Sequence, residues 1–170
     1  LHVCLQSGSD AVLRRMCRRW SARMFIDRCE LVRQSLDQPA FTTDVVVGFP
    51  GETDEDFEQT CRVVREAGFS KVHIFPFSAR RGTPAAEMPD RIPGPVRTER
   101  TQRLAAVEGE LREAYFRSLI GRNLRVLVES RSSATAGHAV GTSCRYAPVE
   151  LPGGAMVGQL VNAVAREVIP

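Results

Sequence analysis

The spacing of apolar residues predicts alternating strands and helices over the first two thirds of the chain. Residues 1 to 5, 41 to 47 and 71 to 77 are apolar runs of strand length. The unbroken Val45, Val46 and Val47 predict that the second of these strands is buried on both faces. Apolar positions recur at helical spacing in residues 10 to 19, 21 to 36, 53 to 68 and 96 to 118.

Local signals mark where some of these helices begin and end. Ser9 is a suitable N-cap for the first helix, and Thr53 with Asp56 forms a capping-box pattern. Gly68 is expected to end the helix that Thr53 begins. The order strand, helices, strand, helix, strand predicts parallel strands joined by right-handed crossovers, as in a barrel or an open α/β sheet.

The pattern changes after Gly121. Short apolar runs at residues 124 to 128, 141 to 149 and 157 to 168 are separated by glycine and proline, which predicts a small all-β module. We therefore expect two domains, residues 1 to 118 and residues 119 to 170.

Charge is distributed unevenly between these two parts. The chain has 170 residues, of which 43% are hydrophobic, and its formal net charge is +3. Residues 1 to 115 hold 17 Lys and Arg against 17 Asp and Glu, whereas residues 116 to 170 hold 6 against 3. The absence of a membrane-length apolar run or a leader pattern makes the cytoplasm the expected location, without a membrane partner. The apolar start without methionine is expected of a fragment.

Neither the cysteines nor the histidines show a spacing typical of a chemical site. The five cysteines form no C-x-x-C or C-x-x-x-C pair, so we expect buried, inert thiols with neither a disulfide framework nor a metal cluster. The histidines are scattered, and we interpret the two strand histidines as structural. Spacing alone identifies no catalytic acid or base. The cysteines and histidines of the chain are Cys4, Cys17, Cys29, Cys61, Cys144, His2, His73 and His138.

Three loops are predicted to leave the carboxyl edge of the parallel sheet, where ligands usually bind. They comprise residues 6 to 10, 48 to 52 and 78 to 83, and each combines glycine with polar side chains. Glycine lets the backbone approach a ligand closely. The alternative is that tight loops of α/β proteins require small residues in any case.

The second loop resembles a phosphate-binding turn but has the wrong charge. A glycine turn before a helix N-terminus attracts anions, yet Glu52, Asp54, Glu55 and Asp56 follow here, and no Gly-Lys-Ser/Thr is present. We therefore predict that this turn binds either the neutral edge of a nucleoside or a positively charged ligand. Backbone groups of residues 47 to 51 would make the contacts.

Two arginine features admit two interpretations each. Arg80 in the third loop could face an anionic part of the same ligand or bridge to a loop carboxylate. On a helix over residues 10 to 19, Arg14 with Arg18 and Arg15 with Arg19 would form two adjacent rows of positive charge. These rows are either a solvated helix face or a track for a phosphate backbone.

Three segments carry a family resemblance. LHVCLQSGSD, TTDVVVGFPGETDEDFEQT and VHIFPFSARRGTPAAEM, in this order, resemble the radical S-adenosylmethionine methylthiotransferases that modify tRNA. GTSCRYAPVELPGGAMVGQLVNAVAREV is similar to their C-terminal TRAM domain, a small RNA-binding β-barrel. The resemblance extends over nearly the whole chain.

The resemblance implies a fold and a set of cofactors. The fold class would be α/β: the C-terminal half of a (βα)6 partial TIM-type barrel, containing its fourth to sixth strands, followed by the TRAM domain. S-adenosylmethionine and two [4Fe-4S] clusters would serve the full-length protein. The signature C-x-x-x-C-x-x-C is absent from this sequence, so this chain would be inactive alone and would supply only part of the cofactor wall.

The resemblance also implies roles for individual residues. The second-loop segment would lie beside the adenosine, the first loop near the ribose and methionine parts, and Arg80 with Thr83 in the sixth-strand loop motif. The implied partners are the tRNA anticodon stem-loop and a reductant for the cluster. The cofactor-binding candidates are Gln6, Ser7, Val47, Gly48, Phe49, Pro50, Gly51, Glu52 and Arg80. The RNA-binding candidates are Arg14, Arg15, Arg18, Arg19, Arg117, Arg122, Arg125 and Arg145.

Several substrates fit this resemblance. HIFPFSARRGTPAA is most similar to the branch that adds a methylthio group to C2 of N6-threonylcarbamoyladenosine at position 37 of tRNA. The alternatives are N6-isopentenyladenosine-37 and a ribosomal protein aspartate. A non-catalytic RNA-binding protein that retains half a barrel is a rival of another class. In a half-barrel, residues 1 to 5 would form an unpaired apolar edge that promotes aggregation.

Overall fold

The computed structural model describes residues 1 to 169. They form two compact units, Leu1–Arg112 and a second unit that begins at Glu113. The predicted boundary, after residue 118, lies a little further along the chain.

The first unit is a mixed α/β structure. Its elements are α1 (Asp10–Arg15), α2 (Ala22–Ser35), β1 (Thr42–Val47), α3 (Asp54–Ala67), β2 (Lys71–Pro76), a short 3-10 turn (Pro84–Ala86) and α4 (Gly94–Ser118), whose last turns belong to the second unit. Strands β1 and β2 are parallel, with Thr42 opposite Lys71 and Val47 opposite Pro76. The predicted parallel pairing is therefore present.

The first predicted strand is only partly formed. Residues 1 to 6 run parallel to β1 through isolated bridges, His2 with Thr42 and Gln6 with Val45. Between them the amide of Leu5 donates to the Thr43 side chain, not to a backbone carbonyl, and Gln6 has a φ of 70°. This irregularity breaks the ladder, so residues 1 to 5 are paired with β1 but are not a continuous strand.

One face of this sheet packs against the helices. The core includes Leu5, Val45, Val47 and Val72 from the sheet, all 3% exposed or less, together with buried residues of α2, α3 and α4. Burial alternates along β1, and Val46 is only half-buried. The prediction that the valine run is buried on both faces was therefore wrong for the described residues, because helices cover only one side.

The helix ends follow the predicted caps, with one exception. Ser9 caps α1, Thr53 and Asp56 form the capping box of α3, and Gly68 ends α3 in the left-handed region at φ 59°. Helix α1, by contrast, ends at Arg15, and Cys17 adopts a φ of 55°. The prediction of a helix extending to residue 19 was wrong.

The second unit contains an antiparallel four-stranded sheet in the order β5-β4-β3-β6. Its strands are β3 (Asn123–Arg131), β4 (Ala139–Ser143), β5 (Pro148–Leu151) and β6 (Leu160–Val164). Leu119, Leu124, Val126 and Val128 belong to its buried cluster. The predicted strand over 141 to 149 is two strands joined by a turn, and β6 is shorter than the predicted 157 to 168.

No helix within residues 1 to 169 is both long enough and apolar enough to cross a membrane.

Candidate functional site

The three predicted loops lie at one edge of the first unit's sheet. Each follows one of three adjacent parallel segments: residues 1 to 6, β1 and β2. The Phe77 amide donates to the Val47 carbonyl at 2.8 Å, and the rings of Phe49 and Phe77 meet edge to face with centroids 5.3 Å apart. Arg15 Nη2 donates to the Gly51 carbonyl at 2.8 Å. The shared edge that parallel order predicts is therefore present.

A buried ion pair shapes the second loop. Glu52 Oε2 lies 2.7 Å from Arg100 Nη1 and also accepts a hydrogen bond from the Gly48 amide at 2.8 Å. Arg100 donates further to the Glu52 carbonyl, at 3.2 Å, and to Asp54 Oδ1, at 2.6 Å. Burial raises the pKa of the Glu52 carboxyl, and the Gly48 hydrogen bond and the Arg100 charge only partly oppose that rise. The Glu52 side chain therefore stabilises the turn to which it belongs.

The amides of this turn are largely occupied by the protein itself. The Gly51 amide donates to the Asp90 carbonyl and the Glu52 amide to the Phe49 carbonyl, both at 2.9 Å. Because the Gly48 amide already binds the Glu52 carboxylate, the turn holds an internal anion where a phosphate cradle would need free donors. The geometry agrees with the sequence-based argument against a phosphate ligand.

Two neighbouring backbone groups of the turn are free among the described residues. The Phe49 amide and the Gly48 carbonyl have no hydrogen-bond partner within residues 1 to 169. They belong to the same trans peptide and point in opposite directions, so one edge of a nucleobase can pair with only one of them. The Phe49 ring is 6% exposed, so its role is to pack against Phe77 beneath the turn.

Gly48 is required by its surroundings. Its φ is 75°, and a Cβ atom there would lie 2.3 Å from the Arg97 Cγ. Arg97 in turn donates from Nη1 to the Phe77 carbonyl at 2.5 Å. The glycine therefore allows the second loop, the end of β2 and α4 to pack closely.

The two polar candidates of the first loop, Gln6 and Ser7, differ in their exposure. Ser7 is fully buried, with its Oγ 3.2 Å from the Thr60 Oγ1 and accepting from the Ser9 amide at 3.1 Å. Gln6 is half-buried, and its Oε1 accepts from Arg18 Nη2 at 3.4 Å. Of the two polar candidates in this loop, Gln6 is accessible to a ligand, whereas Ser7 fastens the loop to α3.

Asp56 connects the N-termini of two helices, which sequence reasoning missed. Its Oδ1 accepts from the Ser9 hydroxyl at 2.5 Å, and its Oδ2 accepts from the Thr53 amide at 3.0 Å. Burial acts to raise the Asp56 pKa, but hydrogen bonds from Ser9 and Thr53 and the charge of Arg15 outweigh it, so the pKa is lowered. The capping-box pattern identified the contact with Thr53, but nothing in the spacing indicated Ser9, 47 residues away.

Arg80 is exposed in the third loop. Its carbonyl accepts from the Thr83 hydroxyl at 2.8 Å and from the Thr83 amide at 3.1 Å. The loop therefore turns back on itself and presents the Arg80 side chain to solvent.

The predicted arginine rows on the first helix are not formed, because α1 ends before two of their members. Arg14 is exposed, while Arg15 turns to the Gly51 carbonyl and lies 3.5 Å from Asp56. Arg18 stacks over the Trp20 ring at 5.4 Å from its centroid, and Arg19 is exposed beyond the helix. Arg15 is thus part of the link between the first two loops.

The arginines of the second unit differ in their surroundings. Arg117 forms an exposed 2.6 Å ion pair with Glu113, and Arg122 is half-buried. Arg125 is exposed on β3, and its carbonyl accepts the Cys144 amide at 2.7 Å, which brings it close to the turn that contains Arg145.

That turn also presents an aromatic residue that the sequence analysis overlooked. Tyr146 has a φ of 58° and is 76% exposed. An exposed aromatic ring next to an arginine in sequence can stack on a nucleobase. The dipeptide Arg145-Tyr146 between two short strands was the available signal.

The prediction that the cysteine thiols are buried holds for only two of the five. Cys29 and Cys61 are buried, and burial raises the pKa of both. Cys4, Cys17 and Cys144 are exposed, so the prediction was wrong for these three. His2 and His73 also lie on the exposed face of the first unit's sheet.

Comparison with known proteins shows what this chain is similar to. Residues 1–64 match the Radical SAM superfamily. The chain is 44% identical over 163 residues to tRNA-2-methylthio-N(6)-dimethylallyladenosine synthase of Salinispora arenicola, covering 94% of this chain and 32% of that protein. It is 46% identical over 139 residues to Threonylcarbamoyladenosine tRNA methylthiotransferase MtaB of Chlamydia pneumoniae, covering 81% of this chain and 33% of that protein.

These matches cover only part of each related protein. The chain spans about a third of the length of the curated relatives it matches. The Radical SAM match contains the first loop and the second loop, and it ends within α3. Residues 1–64 therefore match the Radical SAM superfamily, and the chain is similar to one segment of the tRNA methylthiotransferases.

Proposed function

We propose that this chain is part of a tRNA methylthiotransferase that adds a methylthio group to C2 of an N6-modified adenosine at position 37. Its first unit would be the C-terminal half of a (βα)6 partial barrel, and its second unit a TRAM domain that contacts the anticodon stem-loop. This proposal rests on one observation: the second loop binds its own carboxylate, Glu52, through the Gly48 amide and leaves the neutral Gly48–Phe49 peptide without a partner among the described residues.

This arrangement fits the adenosyl group of S-adenosylmethionine better than a phosphorylated nucleotide. Either the Phe49 amide or the Gly48 carbonyl can pair with a base edge, and Gln6 is accessible on the neighbouring loop. Arg80 is available for the methionine carboxylate. The buried side chains of Ser7, Val47 and Glu52 support the wall without reaching the ligand.

The iron–sulfur clusters would be held elsewhere in the longer protein. The five cysteines of this sequence lack the C-x-x-x-C-x-x-C spacing, and the clusters' ligands are not among the candidates identified in this chain. When bound, the cluster supplies the electron that cleaves S-adenosylmethionine, and the residues of this chain orient the adenosyl group.

The identity of the N6 group rests on two different signals. The third-loop segment HIFPFSARRGTPAA favours threonylcarbamoyladenosine. Names of relatives that act on dimethylallyladenosine, which is the same group as isopentenyladenosine, are more frequent, as in Salinispora arenicola and Desulfitobacterium hafniense. Both substrates share the adenine ring on which the chemistry occurs.

Mass spectrometry of tRNA nucleosides tests this function. A strain lacking the gene should lose one methylthio-adenosine and accumulate its unmethylthiolated precursor, and the complete gene should restore the product. The missing nucleoside identifies the N6 group. Unchanged methylthio-adenosines together with a lost methylthio group on a ribosomal protein would refute the tRNA substrate, and no change in either would favour a non-catalytic RNA-binding protein.

A further inference from the structure

Three side chains with metal-binding atoms meet on the exposed face of the first unit's sheet. His2 and Cys4 are two residues apart on the first segment, and Asp44 lies on the adjacent β1. In extended backbone, residues i and i+2 point to the same side, so the imidazole and the thiol lie side by side. The three ligand atoms all lie within 4.8 Å of one another.

The distances among these atoms match the edges of a coordination tetrahedron. Cys4 Sγ lies 3.3 Å from His2 Nε2, His2 Nε2 lies 3.4 Å from Asp44 Oδ2, and Cys4 Sγ lies 4.0 Å from Asp44 Oδ2. Zinc bonds of about 2.0 to 2.1 Å to nitrogen and oxygen and about 2.3 Å to sulfur give tetrahedral edges of about 3.4 Å between nitrogen and oxygen and about 3.6 Å between either of them and sulfur. The separation between His2 and Asp44 has about this length, whereas the two separations that involve Cys4 Sγ differ from it by about 0.3 and 0.4 Å.

A neighbouring hydroxyl orients the imidazole for coordination. His2 Nδ1 lies 2.9 Å from the Thr42 Oγ1. When Nδ1 carries the proton and donates it to Thr42, Nε2 keeps its lone pair and faces Cys4 and Asp44. Such an outer hydrogen bond is the usual partner of a zinc-bound histidine.

We propose that His2, Cys4 and Asp44 bind a divalent ion of the zinc type, with Thr42 as the outer partner and a fourth position open to water. The mixed nitrogen, sulfur and oxygen set favours Zn²⁺ over Mg²⁺ or Ca²⁺, which prefer oxygen alone. Binding releases the thiol proton, so a metal thiolate forms. This proposal departs from the sequence-based expectation of no metal, which considered only cysteine pairs, and it does not depend on the proposed function.

Cobalt titration of the metal-free 170-residue chain tests the site. Co²⁺ takes the place of Zn²⁺ and gives strong visible bands in tetrahedral sites, together with a thiolate charge-transfer band in the near ultraviolet. We expect one equivalent to produce both signals and Zn²⁺ to displace them. Absence of the charge-transfer band in the unsubstituted chain would overturn the proposal.

Matched variants identify the ligands. Cys4→Ser should abolish the charge-transfer band, whereas Cys17→Ser and Cys144→Ser, which replace the other exposed thiols, should retain it. Thr42→Val should weaken binding by about 10- to 100-fold, and Asp44→Asn by at least as much. Circular dichroism checks that each variant is folded. A band that persists in Cys4→Ser, or an affinity unchanged in Asp44→Asn, would contradict the assigned ligands.

Discussion

Glu52 and Arg100 form a buried ion pair, 2.7 Å apart, beneath the turn that leaves β1. The side chains are 1% and 5% exposed, and the pair connects the turn to α4. Because the Glu52 carboxylate also accepts the Gly48 amide, one interaction fixes both the helix and the loop.

Loss of Arg100 should destabilise the first unit strongly. Arg100→Met leaves the Glu52 carboxylate buried without its partner, which costs about 3 to 5 kcal/mol. Urea denaturation followed by circular dichroism measures the change in the free energy of unfolding. Arg23→Met removes an exposed ion pair with Asp27 and should cost less than about 1 kcal/mol. Equal losses of unfolding free energy in the two variants would contradict a larger contribution from the buried pair.

Asp56 should contribute stability that disappears in acid. Its pKa is lowered in the folded state from an ordinary value of 3.8, so its contribution is present above that value and is lost as pH falls through the folded pKa. Asp56→Asn should therefore lower stability at pH 7 and flatten the loss of stability in acid. Denaturation midpoints recorded from pH 7 down to about pH 2 measure this.

The control for this acid response is Glu55→Gln, which removes an exposed carboxylate from the same helical turn. It should leave the acid slope nearly unchanged. An Asp56→Asn protein with the acid slope of the unsubstituted chain would show that the hydrogen bonds from Ser9 and Thr53 do not favour the charged form.

Two glycine-to-alanine substitutions should change stability in opposite directions. Gly48→Ala places a Cβ in the left-handed region and against Arg97, which costs about 1 to 2 kcal/mol for the backbone alone. Gly109→Ala lies within α4, where a Cβ meets nothing within 4 Å, and should stabilise by about 0.5 to 1 kcal/mol. Thermal melts compare them directly, and effects of the same sign would count against the described loop conformation.

If the second unit binds RNA as proposed, the affinity should depend on Tyr146 and on the arginines near its turn. Tyr146→Ala should weaken binding of a tRNA anticodon stem-loop by about 1 to 3 kcal/mol through lost base stacking. Arg125→Ala should reduce the slope of log affinity against log salt by about 1. Fluorescence anisotropy at several salt concentrations gives both values.

Arg131→Ala is the matched control for RNA binding, since Arg131 is an exposed arginine at the far end of the same strand. It should change neither the affinity at moderate salt nor the salt slope by a comparable amount. Equal losses for Arg125 and Arg131 would indicate diffuse attraction between charges without a defined surface.

Sequence reasoning predicted features that depend on local chemistry. The capping box of Thr53 and Asp56, the left-handed Gly68 and the parallel pairing of β1 with β2 all follow from short patterns. The argument against a phosphate used four nearby carboxylates, and one of them, Glu52, accepts the Gly48 amide; the ligand itself stays a prediction.

Features that depend on distant contacts could not be predicted in the same way. The early end of α1 accompanies a left-handed Cys17 and an Arg15 side chain held by Gly51, neither of which helical periodicity reveals. In the sequence Cys4 lies in an apolar strand segment, and only the pairing with β1 places Asp44 next to it. In both cases residues more than 30 positions apart decide the outcome.

Under the proposed function, the Glu52 carboxylate on the Gly48 amide would affect which adenosine compounds bind at the second loop. ATP carries the same adenosine as S-adenosylmethionine and competes for any pocket that recognises the base and ribose alone. A triphosphate approaching this turn would have to evict a resident negative charge that Arg100 holds in place. In the proposed adenosyl site, the loop would thus favour adenosine compounds without phosphate, because a negative charge already occupies the Gly48 amide.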